Sequence, residues 1–241
     1  MEDKYPNYWK NDIDQGGKNL FEDEFLKEQI KQLGLDNFSH EYIKITNLKA
    51  GKKLSENFKT KAKNNLTVVV YNFVDMLSHS KTDMDMIREL AGNDKSYRAL
   101  TKTWFENSSL LEMLKKIADS GSCLFFTTDH GTINVGVPSK VIGDRETSAN
   151  LRYKSGKRLQ YQVKDVMVME NPEEYFLPAA NLTSSYIFAK ENLYLTYPNN
   201  YNHFVKYFRD TYQHGGVSME EMICPFTNQK TTKRVLLSRS Y

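Results

Sequence analysis

Apolar runs of two kinds punctuate the chain, separated by strongly polar joints. The first kind is apolar nearly throughout over a strand's length. Leu66-Thr-Val-Val-Val-Tyr-Asn-Phe73 and Cys123-Leu-Phe-Phe-Thr127 are of this kind, the pattern of strands covered on both faces in a parallel sheet. The second kind has helical spacing. Phe21, Phe25, Leu26 and Ile30 predict a helix over Phe21–Leu33, stopped by Gly34. Leu100, Trp104, Leu110, Leu111, Leu114 and Ile117 predict one long helix over Ser96–Ala118, broken at Ser120-Gly121. Further helices are expected at Leu54–Lys63, Asp83–Ala91 and Tyr201–Tyr212. Ser218 with Glu221 three residues on is a capping box that opens a short helix. Weaker alternation predicts strands at Tyr42–Leu48, Lys164–Glu170, Thr183–Lys190, Leu193–Tyr197, Met222–Phe226 and Val235–Leu237.

The order strand, helices, strand predicts an α/β fold with a mostly parallel central sheet and right-handed crossovers. The expected core runs over roughly 40–130 and 180–241 of a single domain. A stretch rich in Gly, Lys and Arg, roughly 132–178, reads as an insertion carrying β structure. Residues 1–20, with Tyr5, Tyr8 and Trp9, read as an irregular loop held by aromatic anchors.

Composition narrows this only a little. The 241 residues are long enough to bury a sizeable core, and 39% hydrophobic with 26% charged residues excludes a disordered chain. A net charge of +3 is too small to imply nucleic-acid binding by bulk charge. Cys123 and Cys224 both lie in strand-like runs and read as buried, reduced thiols. No stretch approaches the roughly 20 apolar residues of a membrane span, and the start lacks a signal-peptide pattern, so a cytoplasmic protein without membrane contact is expected.

Three segments carry candidate chemistry. Asp75 and His79 lie four residues apart just past an apolar strand. On a helical turn, such a pair projects from one face about 6 Å apart. Asp129-His130-Gly131 ends a second strand, where open α/β sheets place their ligands. His214 precedes two glycines. The set of two carboxylates and three imidazoles suits Zn²⁺, with Mn²⁺ as the alternative, and lacks the thiolates of a structural zinc site. In the basic stretch, Arg145, Arg152 and Lys154 could pair with phosphates; a solvated hairpin is the competing reading.

The motifs Asp-x-x-x-His, Asp-His-Gly and His-Gly-Gly, in this order, resemble the metal motifs of the alkaline phosphatase superfamily. The wording Asp75-Met-Leu-Ser-His79, Thr127-Thr-Asp-His-Gly131 and His214-Gly-Gly-Val-Ser-Met-Glu-Glu-Met-Ile-Cys-Pro225 is closer to the PglZ domain. Within that group it is similar to the C-terminal output domain of PorX-type response regulators.

The resemblance implies an alkaline-phosphatase-like α/β/α sandwich holding two zinc ions. Asp75, His79 and His214 would bind one, and Asp129 with His130 the other. The implied activity is hydrolysis of a nucleotide-like phosphoester as the output of a two-component protein. A receiver domain is expected upstream, and homodimerisation is an open partner expectation. The resemblance further implies a strand-end Asp and a Thr or Ser nucleophile ahead of residue 1. No catalytic nucleophile is therefore assigned within the chain, which is expected to be an N-terminally truncated member lacking its first core strand. The alternative is a catalytically incomplete module that binds metal or a phosphoryl group and acts by contacting partners.

Overall fold

The computed structural model describes residues 21–74, 77, 84–144, 147–175, 177 and 183–230. It is a mixed α/β chain that divides into two compact units. One comprises the described residues of Lys18–Leu77, Lys95–Thr127 and Pro225–Tyr241, and the other those of Ser78–Asp94 and Thr128–Cys224.

In the first of these, helix α1 (Glu22–Gln32) leads to strand β1 (His40–Ile45). Helices α2 (Leu48–Glu56) and α3 (Phe58–Lys61) then connect β1 to strand β2 (Leu66–Tyr71). The two strands pair in parallel, with His40 opposite Leu66 and Ile45 opposite Tyr71. The first strand ends earlier than expected, and the helix after it starts earlier, because Asn47 is a cap. Its side chain accepts the Ala50 N–H at 2.9 Å and satisfies one of the orphan donors of the first turn.

The long helix predicted over Ser96–Ala118 is two helices. After α4 (Asp85–Leu90), α5 (Asp94–Glu106) stops and α6 (Ser109–Ser120) restarts. The Ser108 hydroxyl caps the restart by accepting from Leu111 N–H. Their apolar faces still converge. Leu110 and Met113 pack with Ile45 and Leu54, flanked by Trp104, Leu114, Ile117 and Val69.

Strand β3 (Cys123–Thr127) follows Gly121, whose φ of 77° ends α6. Its partner is the antiparallel strand β11 (Phe226–Lys230), with Phe226 opposite Thr127. That strand begins where the one predicted over Met222–Phe226 was expected to end. The strand β3 is not covered on both faces. Phe125, Phe126 and Cys123 are exposed, and Cys224 is partly buried; both thiols are free.

The other unit contains the remaining strands. β4 (Ile133–Val135) pairs antiparallel with β10 (Thr211–Gln213), and β5 (Val137–Lys140) pairs in parallel with β9 (Leu193–Thr196). β6 (Tyr153–Lys157), β8 (Ser184–Ala189) and β7 (Val166–Met169) form an antiparallel three-stranded sheet in that order. Val141, Val166, Ile187, Ala189 and Leu195 form its buried core. The helix predicted over Tyr201–Tyr212 is α7 (Tyr201–Phe208); it ends where Arg209 turns extended, and Asp210, at φ 62°, leads the chain into β10. The capping box opens α8 (Met219–Met222) as expected.

Parallel pairing is therefore seen at β1–β2 and β5–β9, and the other three sheets of the described residues are small and antiparallel. Val235–Leu237 lies outside the described residues. No helix among those described is long and apolar enough to cross a membrane.

Candidate functional site

The site is built where the chain leaves β3. The Thr128 hydroxyl donates to the His130 carbonyl at 2.9 Å, and the His130 N–H donates to Asp129 Oδ1 at 3.1 Å. These local bonds close a tight turn of the kind polar side chains favour. His130 Nδ1 lies 3.0 Å from the Gly131 carbonyl oxygen. A carbonyl only accepts, so in the neutral ring this contact favours the Nδ1–H tautomer, which leaves the Nε2 lone pair for a ligand. That Nε2 lies 3.8 Å from Asp129 Oδ2, whose side chain is 82% exposed. Two ligands about 2.0–2.1 Å from one tetrahedral ion would stand about 3.3 Å apart, so a small adjustment brings both onto a single cation.

Gly131 fixes where this turn goes. Its N–H donates to the Glu221 carbonyl at 2.8 Å, and a Cβ there would meet the Glu220 carbonyl oxygen at 1.9 Å. Only glycine allows the backbones to approach so closely. The second arm comes from β10, which ends at Gln213 and delivers His214. The imidazoles of His130 and His214 stack with centroids 4.0 Å apart and planes 15° from parallel. Residues 84 apart in sequence thus share one place.

Beneath this pair lies a buried ion pair. Arg152, fully buried just ahead of β6, donates from Nε and Nη2 to the two carboxylate oxygens of Glu221, each at 2.9 Å. Its Nη2 also donates to the Ala189 carbonyl at 3.2 Å, and its Nη1 to the Leu193 carbonyl. Glu221 Oε1 further accepts Gly216 N–H at 2.9 Å, and Oε2 accepts Ser218 N–H at 3.2 Å. Burial alone would raise the Glu221 carboxyl; the guanidinium and the N–H donors more than reverse this and hold it below its usual range.

The five predicted ligands fare differently. His130 and His214 come together and Asp129 lies beside His130, whereas Asp75 and His79 lie outside the described residues. No group of three His, Cys, Asp or Glu side chains that could hold a metal ion occurs among the described residues.

The predicted phosphate clamp has no open face at two of its three positions. Arg145 lies outside the described residues. Arg152 has spent its donors on Glu221 and two carbonyls. Lys154, 1% exposed, sets its ammonium 4.3 Å from the centre of the Tyr197 ring. Burial lowers the Lys154 amine from 10.5 to about 7. Burial likewise pushes the Tyr197 hydroxyl, which donates to the Ser148 carbonyl, up to about 12.

Glu221 is the residue that sequence reasoning missed. It was visible only as the acid of a capping box, and nothing local announced a buried arginine 69 residues upstream.

In this α/β chain a strand exit and a Gly-Gly loop thus set a carboxylate and two imidazoles side by side. Residues 1–228 match the model of the family described as the BREX system PglZ alkaline phosphatase-like domain, and the chain belongs to that family. No curated protein matches the chain at a significant level.

Proposed function

We propose that the chain is a phosphoesterase-like module whose residues hold divalent cations, Zn²⁺ in the first instance and Mn²⁺ as the alternative. The observation that carries the reading is the His130–His214 stack beside Asp129. Its 4.0 Å ring separation falls within the spacing of about 3.5–4 Å between cations in two-metal hydrolases. A parallel stack suits two rings serving neighbouring ions better than two rings converging on one. On this assignment Asp129 and His130 hold one ion, and His214 serves the other together with Asp75 and His79. Bound cations of this kind lower the pKa of a coordinated water and neutralise charge developing on a phosphoryl group.

The protein's own part is to present these donors in their binding forms. The Gly131 carbonyl favours the Nδ1–H tautomer of His130, as outer partners of metal-bound histidines do. The exposure of Asp129 leaves that side open to a phosphoester. Arg145 remains in the reading only as a secondary contact for a nucleotide-like substrate. Motif wording extends the proposal to the output domain of a PorX-type signalling protein, with a receiver and a second copy as partners and the basic stretch as an insertion near the site.

A second reading is favoured by the buried Arg152 and Lys154. A domain whose basic groups are committed internally would bind a metal or phosphoryl group without turning it over. Hydrolysis of bis(4-nitrophenyl) phosphate before chelation, after chelation and after Zn²⁺ re-addition separates the two. Turnover that is lost, then restored, and that is abolished in His214→Ala and Asp75→Ala supports the enzyme. Zinc binding without turnover supports the module. Turnover unchanged by chelation rejects both.

A further inference from the structure

The sequence motifs bring the two histidines into view but do not explain what keeps them face to face. His214 sits on a loop between β10 and α8, and His130 on a turn after β3. Neither imidazole is held by the regular hydrogen bonding of a strand. The β4–β10 ladder brings Gln213 opposite Ile133 and so the two segments near one another; the loop beyond His214 is tied to the His130-Gly131 turn through Glu221. Glu221 receives Gly216 N–H and Ser218 N–H on its carboxylate, and Gly131 N–H on its carbonyl. Arg152 then anchors that carboxylate to β6, and through the Ala189 and Leu193 carbonyls to the ends of β8 and β9.

We infer that Arg152 and Glu221 are positioning residues: their buried ion pair is the latch that holds the His214 loop against the His130-Gly131 turn and thereby sets the two imidazoles in register. Three features support this. The pair is costly as a stabilising device, since apolar residues of similar volume often serve stability as well or better. It is bidentate, so it fixes orientation as well as distance. The loop is also moulded onto it. A Cβ at Gly216 would lie 2.7 Å from Glu221 Oε2 and 2.9 Å from Arg152 Nε. A basic residue in this stretch, which could have met a phosphate, instead acts through another residue.

The inference rests on the proposed metal-binding role only for its catalytic consequence; the stack itself can be tested without metal. In metal-free protein, each imidazole shields the Cε1 proton of the other, so both resonances should lie upfield of those of a solvated histidine. The double variant Arg152→Met/Glu221→Leu removes both charges at similar volume. Gly216→Ala keeps both charged partners and drives a Cβ into them, forcing loop and pair apart.

The latch predicts that each folded variant loses the mutual shielding while its circular dichroism stays native. Its Zn²⁺ affinity should fall by about 10–100-fold, the range for losing an outer partner of a ligand. Shielding retained in either folded variant overturns the proposal. Should the double variant fail to fold, Gly216→Ala decides alone. If the parent binds no zinc, the metal-binding role fails, while the shielding comparison still decides the latch.

Discussion

Lys154 gives the sharpest test of how this interior is built. Its side chain is 1% exposed, with the Tyr197 ring against its ammonium, and burial takes the amine from 10.5 to about 7. The unfolded chain then binds more protons than the folded one between about pH 7 and pH 10.5, so stability should rise with pH across that window. The separation of roughly 3.5 pH units at 1.36 kcal/mol each sets an upper cost of about 5 kcal/mol at and below neutrality. Attraction to the Tyr197 ring offsets up to about 2 kcal/mol of this. Lys154→Met removes the charge at similar volume. It should therefore stabilise the protein by about 3–5 kcal/mol at pH 7, and that advantage should shrink by about 1–2 kcal/mol by pH 9. Urea unfolding of parent and variant at the two pH values, with equal m-values, reads both effects. An advantage that stays flat with pH, or a variant less stable than the parent at both, would refute the burial argument.

Two further outcomes follow from the same interior. Gly131→Ala forces a Cβ into the Glu220 carbonyl at 1.9 Å, so the turn must move. A loss of about 1–3 kcal/mol in chemical denaturation is expected, together with loss of the His130–His214 ring shielding. The Glu221 carboxyl is held below its ordinary value of 4.5, so its contribution is complete above that pH and is lost as the pH falls through the lower folded value. Between about pH 5 and about pH 3 the parent's urea midpoint should fall more than that of Arg152→Met/Glu221→Leu. Equal falls would show that the pair contributes nothing to acid stability.

What could be read from the sequence depended on the range of the interaction that decides each feature. Helical spacing located the faces of α5 and α6, since Trp104, Leu110, Leu114 and Ile117 all reach one core. It missed the break between them because a serine inside a periodic run is ambiguous until its hydroxyl is seen capping Leu111. His130 and His214 were singled out by their motifs, although nothing in periodicity brings them together.

Arg152 and Lys154 were misjudged for a physical reason. They alternate with Leu151 and Tyr153, so either face of the strand could be the inner one, and a buried guanidinium is tolerable only with a partner. That partner, Glu221, is remote in sequence and already accounted for locally by its capping box. The exposure of Phe125 and Phe126 in β3 was equally hidden, since an apolar run does not reveal what covers it.

Zinc retained after exhaustive dialysis, measured per chain in the parent and in His130→Ala and His214→Ala, tests the central claim most directly. The account predicts about two equivalents in the parent, with each alanine variant losing about one while remaining folded. A parent that retains no zinc, or variants that retain as much as the parent, would contradict it.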